Sequence, residues 1–315
     1  MLLSFQVSPK VTDPVPDRVV APTSIAMLLA VCLSFSGGGM VFAANPDGVN
    51  VGSASSVRKL VPAESLERSA VQQYGEMKKQ AAAKKTLAAD DHPQVRRLRT
   101  IAARLIPYAY KFNQRARGWQ WEINLIKSDQ INAFCMPGGK IAFYTGIIDQ
   151  LKLTDDEVAM VMGHEIAHAL REHARERIAK TQLTQVGTSL VADLLGLGSL
   201  GRLAVDAGGS LMSLKFSRDD ETESDVIGLE LGARAGFDPR AGITLWQKMS
   251  ATNKGAPPSW LSTHPAGKNR IAEMQGHLPE VMPLYEKSKA SNRPDNGSGH
   301  ITPENSDRRP VIRIQ

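Results

Sequence analysis

The sequence predicts an α+β protein, mainly helical, with a small β-sheet beside one central helix. Three observations carry this expectation. A helical text runs from Pro62 to about Arg117, short strand-like runs follow between Trp119 and Gly146, and strong helix starts stand at Thr154 and Ser217. The chain has 315 residues, 42% hydrophobic and 22% charged, which is enough to bury a real core. Two Cys exclude a disulfide scaffold.

The first helical text is rich in Ala, Lys and Gln, and Pro93 marks a break in it. Trp121 to Ile126 then alternates, Ile131 to Cys135 is apolar, and Lys140 to Thr145 follows a Pro137-Gly138-Gly139 turn. These read as strands of one small sheet. Thr154 and Glu157 form a capping box that opens a helix running to about Lys180. Residues 187–214 are rich in Gly and Leu and read as a helical hairpin, a lid or a membrane-touching flap. Ser217 opens a further helix closed by Gly236. Asp238 and Pro239 open another as N-cap and first turn, and Pro265 does the same for a helix to Gln275. Polar residues after Pro283 predict a disordered tail, taken as 281–315.

The net charge is +6, and residues 58–117 hold 14 Lys or Arg against five Asp or Glu. The remainder is therefore slightly acidic, which excludes a uniformly basic nucleic-acid coat and points to one basic flank, a possible contact for a membrane surface. Residues 25–44 carry no charge, and Val41-Phe42-Ala43 suits cleavage after Ala43. Residues 1–43 thus read as a signal peptide, with a membrane anchor as the competing reading, and 44–57 as a linker. Once the leader is cut, Cys135 is the remaining Cys, and its strand setting marks it as core.

Chemistry concentrates at Gly163-His164-Glu165-Ile166-Ala167-His168. Residues i and i+4 share a helix face, so the two imidazoles converge. That is the geometry for zinc held by two His, with Glu165 beside the reactive water. A catalytic zinc site wants three protein ligands and an open position. A third His six residues on is excluded, because Arg171 and Ala174 stand where that arrangement needs Gly and His. A second helix offers Glu221 and Asp225 at i and i+4, with Glu223 as a competing ligand on the opposite face. If Glu221 binds metal, Asp225 is placed to receive a ring N–H from a ligating His. His173 lies about 140° round a continuous helix from His168 and reads as structural or solvated.

His164 to His168, followed by SRDDETESDVIG (217–228), preceded by NAFCMPGGKIAFYTG (132–146) and followed by STHPAGKNRI (262–271), resembles the HtpX–BepA–Oma-type zinc metallopeptidases, relatives of the CAAX prenyl endopeptidases. The resemblance covers roughly residues 95–275. It implies a gluzincin core over 58–280, one zinc ion per chain held by His164, His168 and Glu221, Glu165 as catalytic acid and base, and Asp225 supporting the site. His264 falls on the family's His-Pro. It could cap the helix opened by Pro265, take the fourth metal position, or donate a hydrogen bond to the oxyanion. Arg218 could serve likewise or simply pair with neighbouring acids. The chain departs from the family's membrane branches in having no multi-span region, and so resembles a short exported branch.

The expected activity is zinc-dependent hydrolysis of peptide bonds in unfolded or misassembled envelope proteins, in the periplasm, free or membrane-associated. An exposed edge at Asn132–Pro137 would pair with extended substrate backbone. The competing class is a chaperone-like assembly factor with a latent protease site.

Overall fold

A computed structural model describes residues 48–194, 211–252, 258–265 and 269–291, with backbone alone over 185–194. All of these lie within one compact unit. The expected leader 1–43, residues 195–210 of the expected hairpin and the tail beyond Ser291 lie outside the described residues.

The opening segment is not a free linker. Val49 is buried, and its N–H donates to the carboxylate of Glu230 at 2.6 Å. Gly52 O accepts from Arg171 at 3.1 Å. After a 3-10 turn at Ser56–Leu60, Arg58 pairs with Glu172 and Arg175 donates to Val61 O. A Gly, Ser and Asn composition could not reveal this, because every partner lies more than a hundred residues away.

Two helices follow, α1 (Ala63–Ala83) and α2 (Pro93–Ala109). The break between them falls where Pro93 placed it. His92 caps α2 by accepting from Gln94 N, and Pro93 takes the first position, where no N–H is needed. Three strands come next, β1 (Glu122–Ile126), β2 (Ala133–Met136) and β3 (Lys140–Tyr144), in the order β1-β3-β2. β1 runs parallel to β3 and β2 antiparallel to it, so β2 is an outer strand.

Side-chain alternation divides the sheet between two cores. Ile123, Leu125, Ile141 and Phe143 enter the main core with α2. Ile126, Phe134, Met136 and Ala142 pack with Ala70 and Tyr74 of α1 on the other face.

A short helix α3 (Thr145–Gln150) leads to α4 (Asp155–Leu170), opened by the Thr154–Glu157 capping box in both directions. Glu157 also accepts from Lys248 at 2.6 Å and Thr244 at 2.9 Å. α4 does not run on to Lys180. Glu172 adopts a left-handed backbone, φ 59°, and a new helix α5 (His173–Leu194) begins in another direction. Helix α6 (Arg218–Arg234) starts on a Ser217–Asp220 capping box and crosses α4 where two glycines meet. A Cβ on Gly163 would stand 3.0 Å from Gly228 O, and one on Gly228 2.9 Å from His164 N. Only glycine lets the two backbones approach so closely.

Three helices complete the fold, α7 (Ala241–Ala251), α8 (Ser259–Thr263) and α9 (Arg270–Ser291). Asp238 does accept from Arg240 N, but i→i+3 bonds at Ala241 and Gly242 form a turn first, so α7 starts later than expected. The helix assigned to Pro265 starts at Arg270 and passes Gln275, carrying Pro279 and Pro283 inside it. Each Pro forfeits one intrahelical bond, yet Met274, Val281 and Tyr285 are buried and hold α9 on the core. Residues 281–291 are therefore helix and not tail.

The basic excess of 58–117 lies at the surface, with Lys59, Arg68, Lys84, Lys85 and Arg96 exposed, and part of it is paired. Arg58, Lys78, Arg97, Arg99, Lys111 and Arg115 all pair with carboxylates.

Candidate metal centre

Helix α4 carries His164, Glu165 and His168 in the middle of the protein, each at most 3% exposed. Across the glycine crossing, α6 presents Glu221 and Asp225 one turn apart on the face turned to α4. His264, the C-cap of α8, reaches the same point through its side chain.

His164, His168, Glu221 and His264 each offer one donor atom, all mutually within 4.8 Å. His164 Nε2 lies 3.0 Å from His168 Nε2 and 3.3 Å from His264 Nδ1. Glu221 oxygens stand 3.6 Å from His164, 3.3 Å from His168 and 3.0 Å from His264. A tetrahedral zinc site with bonds of about 2.0–2.1 Å has donor–donor edges of roughly 3.3–3.4 Å. The four side chains therefore fit zinc in both chemistry and spacing.

Hydrogen bonds also put the rings in the right form. His164 Nδ1 donates to Asp225 Oδ1 at 2.9 Å, which leaves Nε2 bare. Burial holds the His168 ring well below its usual pKa, so it is neutral and able to bind metal. Burial pushes Glu221 upward, but the His168 and His264 rings beside it overcome that and hold the carboxylate far below its usual range. Burial depresses His264, and the charges of Glu165 and Glu221 reverse that into a raised pKa.

Glu165 does not belong to the donor group. Its Oε1 accepts from Trp260 Nε1 at 2.7 Å and lies 3.4 Å from His264 Nε2, so its carboxylate is fixed beside the donors. The Trp260 ring stacks on His264 at 4.8 Å. A cleft of about 480 Å³, its open mouth included, leads to this point between Phe134 and Cys135 of β2 and Met212 and Phe216 opposite. Cys135 is half-buried here and not wholly core. Burial, then the charge of Glu165, raises its thiol well above the ordinary range.

Three residues in this centre escaped sequence reasoning. Arg270 donates to Glu221 Oε2 at 2.6 Å and to both oxygens of Asp225 at 2.6 Å, stacked on Trp246 at 3.8 Å. Burial works against its charge, and Asp225 and then Glu221 outweigh that. It stands in the STHPAGKNRI stretch, so its position was in view while its role was not. Arg218, the Arg that was considered, is exposed on the first turn of α6. Trp260 is the second. His173 is the third in its role alone: expected to be structural or solvated, it is structural, buried 2.9 Å from His168 and 2.7 Å from Glu223. Glu223 lies off the donor group and pairs with Arg171 at 2.6 Å.

Comparison with known proteins agrees with this arrangement. Residues 92–278 match Peptidase family M48. The chain is 39% identical over 172 residues to the mitochondrial metalloendopeptidase OMA1 of Schizosaccharomyces pombe, covering 54% of this chain and 50% of that protein. It is 33% identical over 179 residues to the human metalloendopeptidase OMA1, mitochondrial, covering 53% and 34%. Against the beta-barrel assembly-enhancing protease of Escherichia coli it is 31% identical over 175 residues, covering 52% and 36%. The chain thus spans half or less of the length of these three relatives. A family match over more than half of the chain, taking in the helix that bears His164 and His168, leaves one conclusion: this chain belongs to peptidase family M48.

Proposed function

We propose that this chain hydrolyses internal peptide bonds of unfolded or misassembled envelope proteins, as a quality-control enzyme exported to the periplasm. One zinc ion per chain would be held by His164, His168 and Glu221. The observation that carries this reading is the convergence of bare imidazole nitrogens and Glu221 on one buried point, with the Glu165 carboxylate fixed beside it.

Zinc at such a site supplies Lewis acidity to a carbonyl and acidifies water. Glu165 takes the proton of the attacking water and passes it to the leaving amine. Trp260 orients that carboxylate through Oε1. His264 would either give the metal a fourth donor or donate a hydrogen bond to the developing oxyanion. Asp225 holds the ring of His164, and Arg270 holds both Asp225 and Glu221.

The substrate class is supported by β2, an outer strand along the cleft. Main-chain pairing there is indifferent to side chains and suits extended, unfolded chains. The name of the Escherichia coli relative, a beta-barrel assembly-enhancing protease, supports an envelope setting, while OMA1 is mitochondrial by name. No helix among the described residues is long and apolar enough to cross a membrane. Contact with an anionic membrane surface would use basic residues left exposed on the flank, Lys84 and Lys85 among them.

The test is cleavage of casein or an unfolded envelope protein, with zinc measured on the same samples. Glu165→Gln is expected to keep stoichiometric zinc and lose proteolysis; cleavage near wild type would sink the assignment. Glu221→Ala is expected to lose zinc and Glu223→Ala to keep it, and the reverse would reassign the ligand. Tight substrate binding without cleavage by wild type would favour the assembly-factor reading.

A further inference from the structure

We propose that His173, backed by Glu223, is a positioning residue for the metal centre. It holds His168 in the tautomer and ring orientation that turn a bare Nε2 toward Glu221 and His164. This role rests on His164, His168 and Glu221 being the metal donors.

The hydrogen-bond order follows from charge balance. Glu223 is a carboxylate acceptor, with Arg171 Nη2 2.6 Å from its Oε1. His173 Nε2, 2.7 Å from Glu223 Oε2, must therefore carry a proton. A neutral ring protonated there has Nδ1 as an acceptor. The polar atoms nearest to it are His168 Nδ1 at 2.9 Å and Ser224 Oγ at 3.4 Å, and at the shorter contact His168 donates, which leaves its Nε2 unprotonated. The order runs from Arg171 through Glu223 and His173 to His168. Its two imidazoles are each at most 3% exposed, so water does not compete for these bonds. The ring of Phe216, 4.0 Å from His168, closes the same side.

The backbone is shaped for this contact. On a continuous helix His173 would point away from the donors. The left-handed residue between the helices, Glu172, breaks α4 and returns His173 to the back of His168. A non-glycine residue in that conformation is strained and is held by its surroundings. Here Arg58 and Arg175 both bind the Glu172 carboxylate. The two metal-side imidazoles are thus supported differently, His164 by Asp225 directly and His168 by Glu223 through a second imidazole.

The experiment compares His173→Phe, which keeps the ring shape without nitrogens, with His173→Gln, whose amide can accept from His168 and donate to Glu223. Zinc affinity is read by chelator competition, and the His168 tautomer by nitrogen-15 imidazole shifts of metal-free protein. His173→Phe is expected to weaken zinc binding by about 10- to 100-fold and to release His168 into a mixture of tautomers, with His173→Gln restoring most of both. Unchanged affinity and tautomer in His173→Phe, or a Gln variant as weak as the Phe variant, would overturn the proposal. If the Phe variant fails to fold, Glu223→Leu, which removes the last acceptor, is read in the same way. Wild-type protein that binds no zinc would overturn the functional reading and this one together.

Discussion

Replacing Arg270 by Met will cost the metal-free protein about 3 to 5 kcal/mol, the usual penalty for breaking a buried ion pair from one side. The guanidinium makes three bonds of 2.6 Å to two carboxylates, and Glu221, Asp225 and Arg270 are all at most 7% exposed. Met keeps an apolar stem beside Trp246, so the loss isolates charge and hydrogen bonding from packing. For a protein of this size that energy lowers Tm by about 6 to 20 °C. Bound zinc would bring two positive charges to the same carboxylates, so the metal-loaded variant should lose clearly less than the metal-free one. The assay is thermal unfolding followed by calorimetry, with EDTA and with zinc, for wild type, Arg270→Met and Arg270→Lys. Lys restores the charge without the planar fork and should fall between the other two. A metal-free Tm within about 3 °C of wild type would refute the reasoning, because it would mean that Glu221 and Asp225 do not depend on Arg270. Equal losses with and without zinc would refute the charge compensation.

Two further outcomes follow from the packing around α4. Glu157 is held below its usual 4.5, because Lys248, the Thr154 N–H and Thr244 overcome the effect of burial. A carboxylate of lowered pKa stabilises the fold above its unfolded pKa, and that stabilisation is lost as pH falls through the folded value. Glu157→Gln should therefore cost about 1.5 to 3 kcal/mol at pH 7, with the gap from wild type closing below about pH 4.5 in urea titrations; a gap constant down to pH 3 would contradict it. Gly228→Ala should destabilise by about 1 to 3 kcal/mol by forcing α6 off α4, and should weaken zinc binding because Glu221 moves with α6. Unchanged Tm and zinc affinity would show that the crossing has slack.

Local signals in the sequence were legible wherever one segment settled its own structure. The Thr154 capping box, Pro93 at a helix start, the three strands and the spacing of His164 and His168 all depend on residues a few positions apart. What escaped depends on distant partners or on backbone without a marker. Arg171-Glu172-His173 holds neither Gly nor Pro, so nothing announced the turn that buries His173. Polar composition after Pro283 suggested a tail, and buried Val281 and Tyr285 hold residues 281–291 in a helix instead. Arg270 and Trp260 meet their carboxylates across 45 and 95 residues, beyond any helical or strand period.

The docked segment 48–61 also bears on the order in which the molecule completes itself. Synthesis delivers this segment well before its anchors, Glu172, Arg175, Arg171 and Glu230, which follow it by 114 to 181 residues. Loops of that length close late and slowly. The segment thus waits as an unattached ribbon while α4 and α6 assemble, and settles only once both are in place. Its attachment across the α4–α5 break is the finishing step of folding, so protection of residues near Val49 from proteolysis would time the maturation of the whole enzyme.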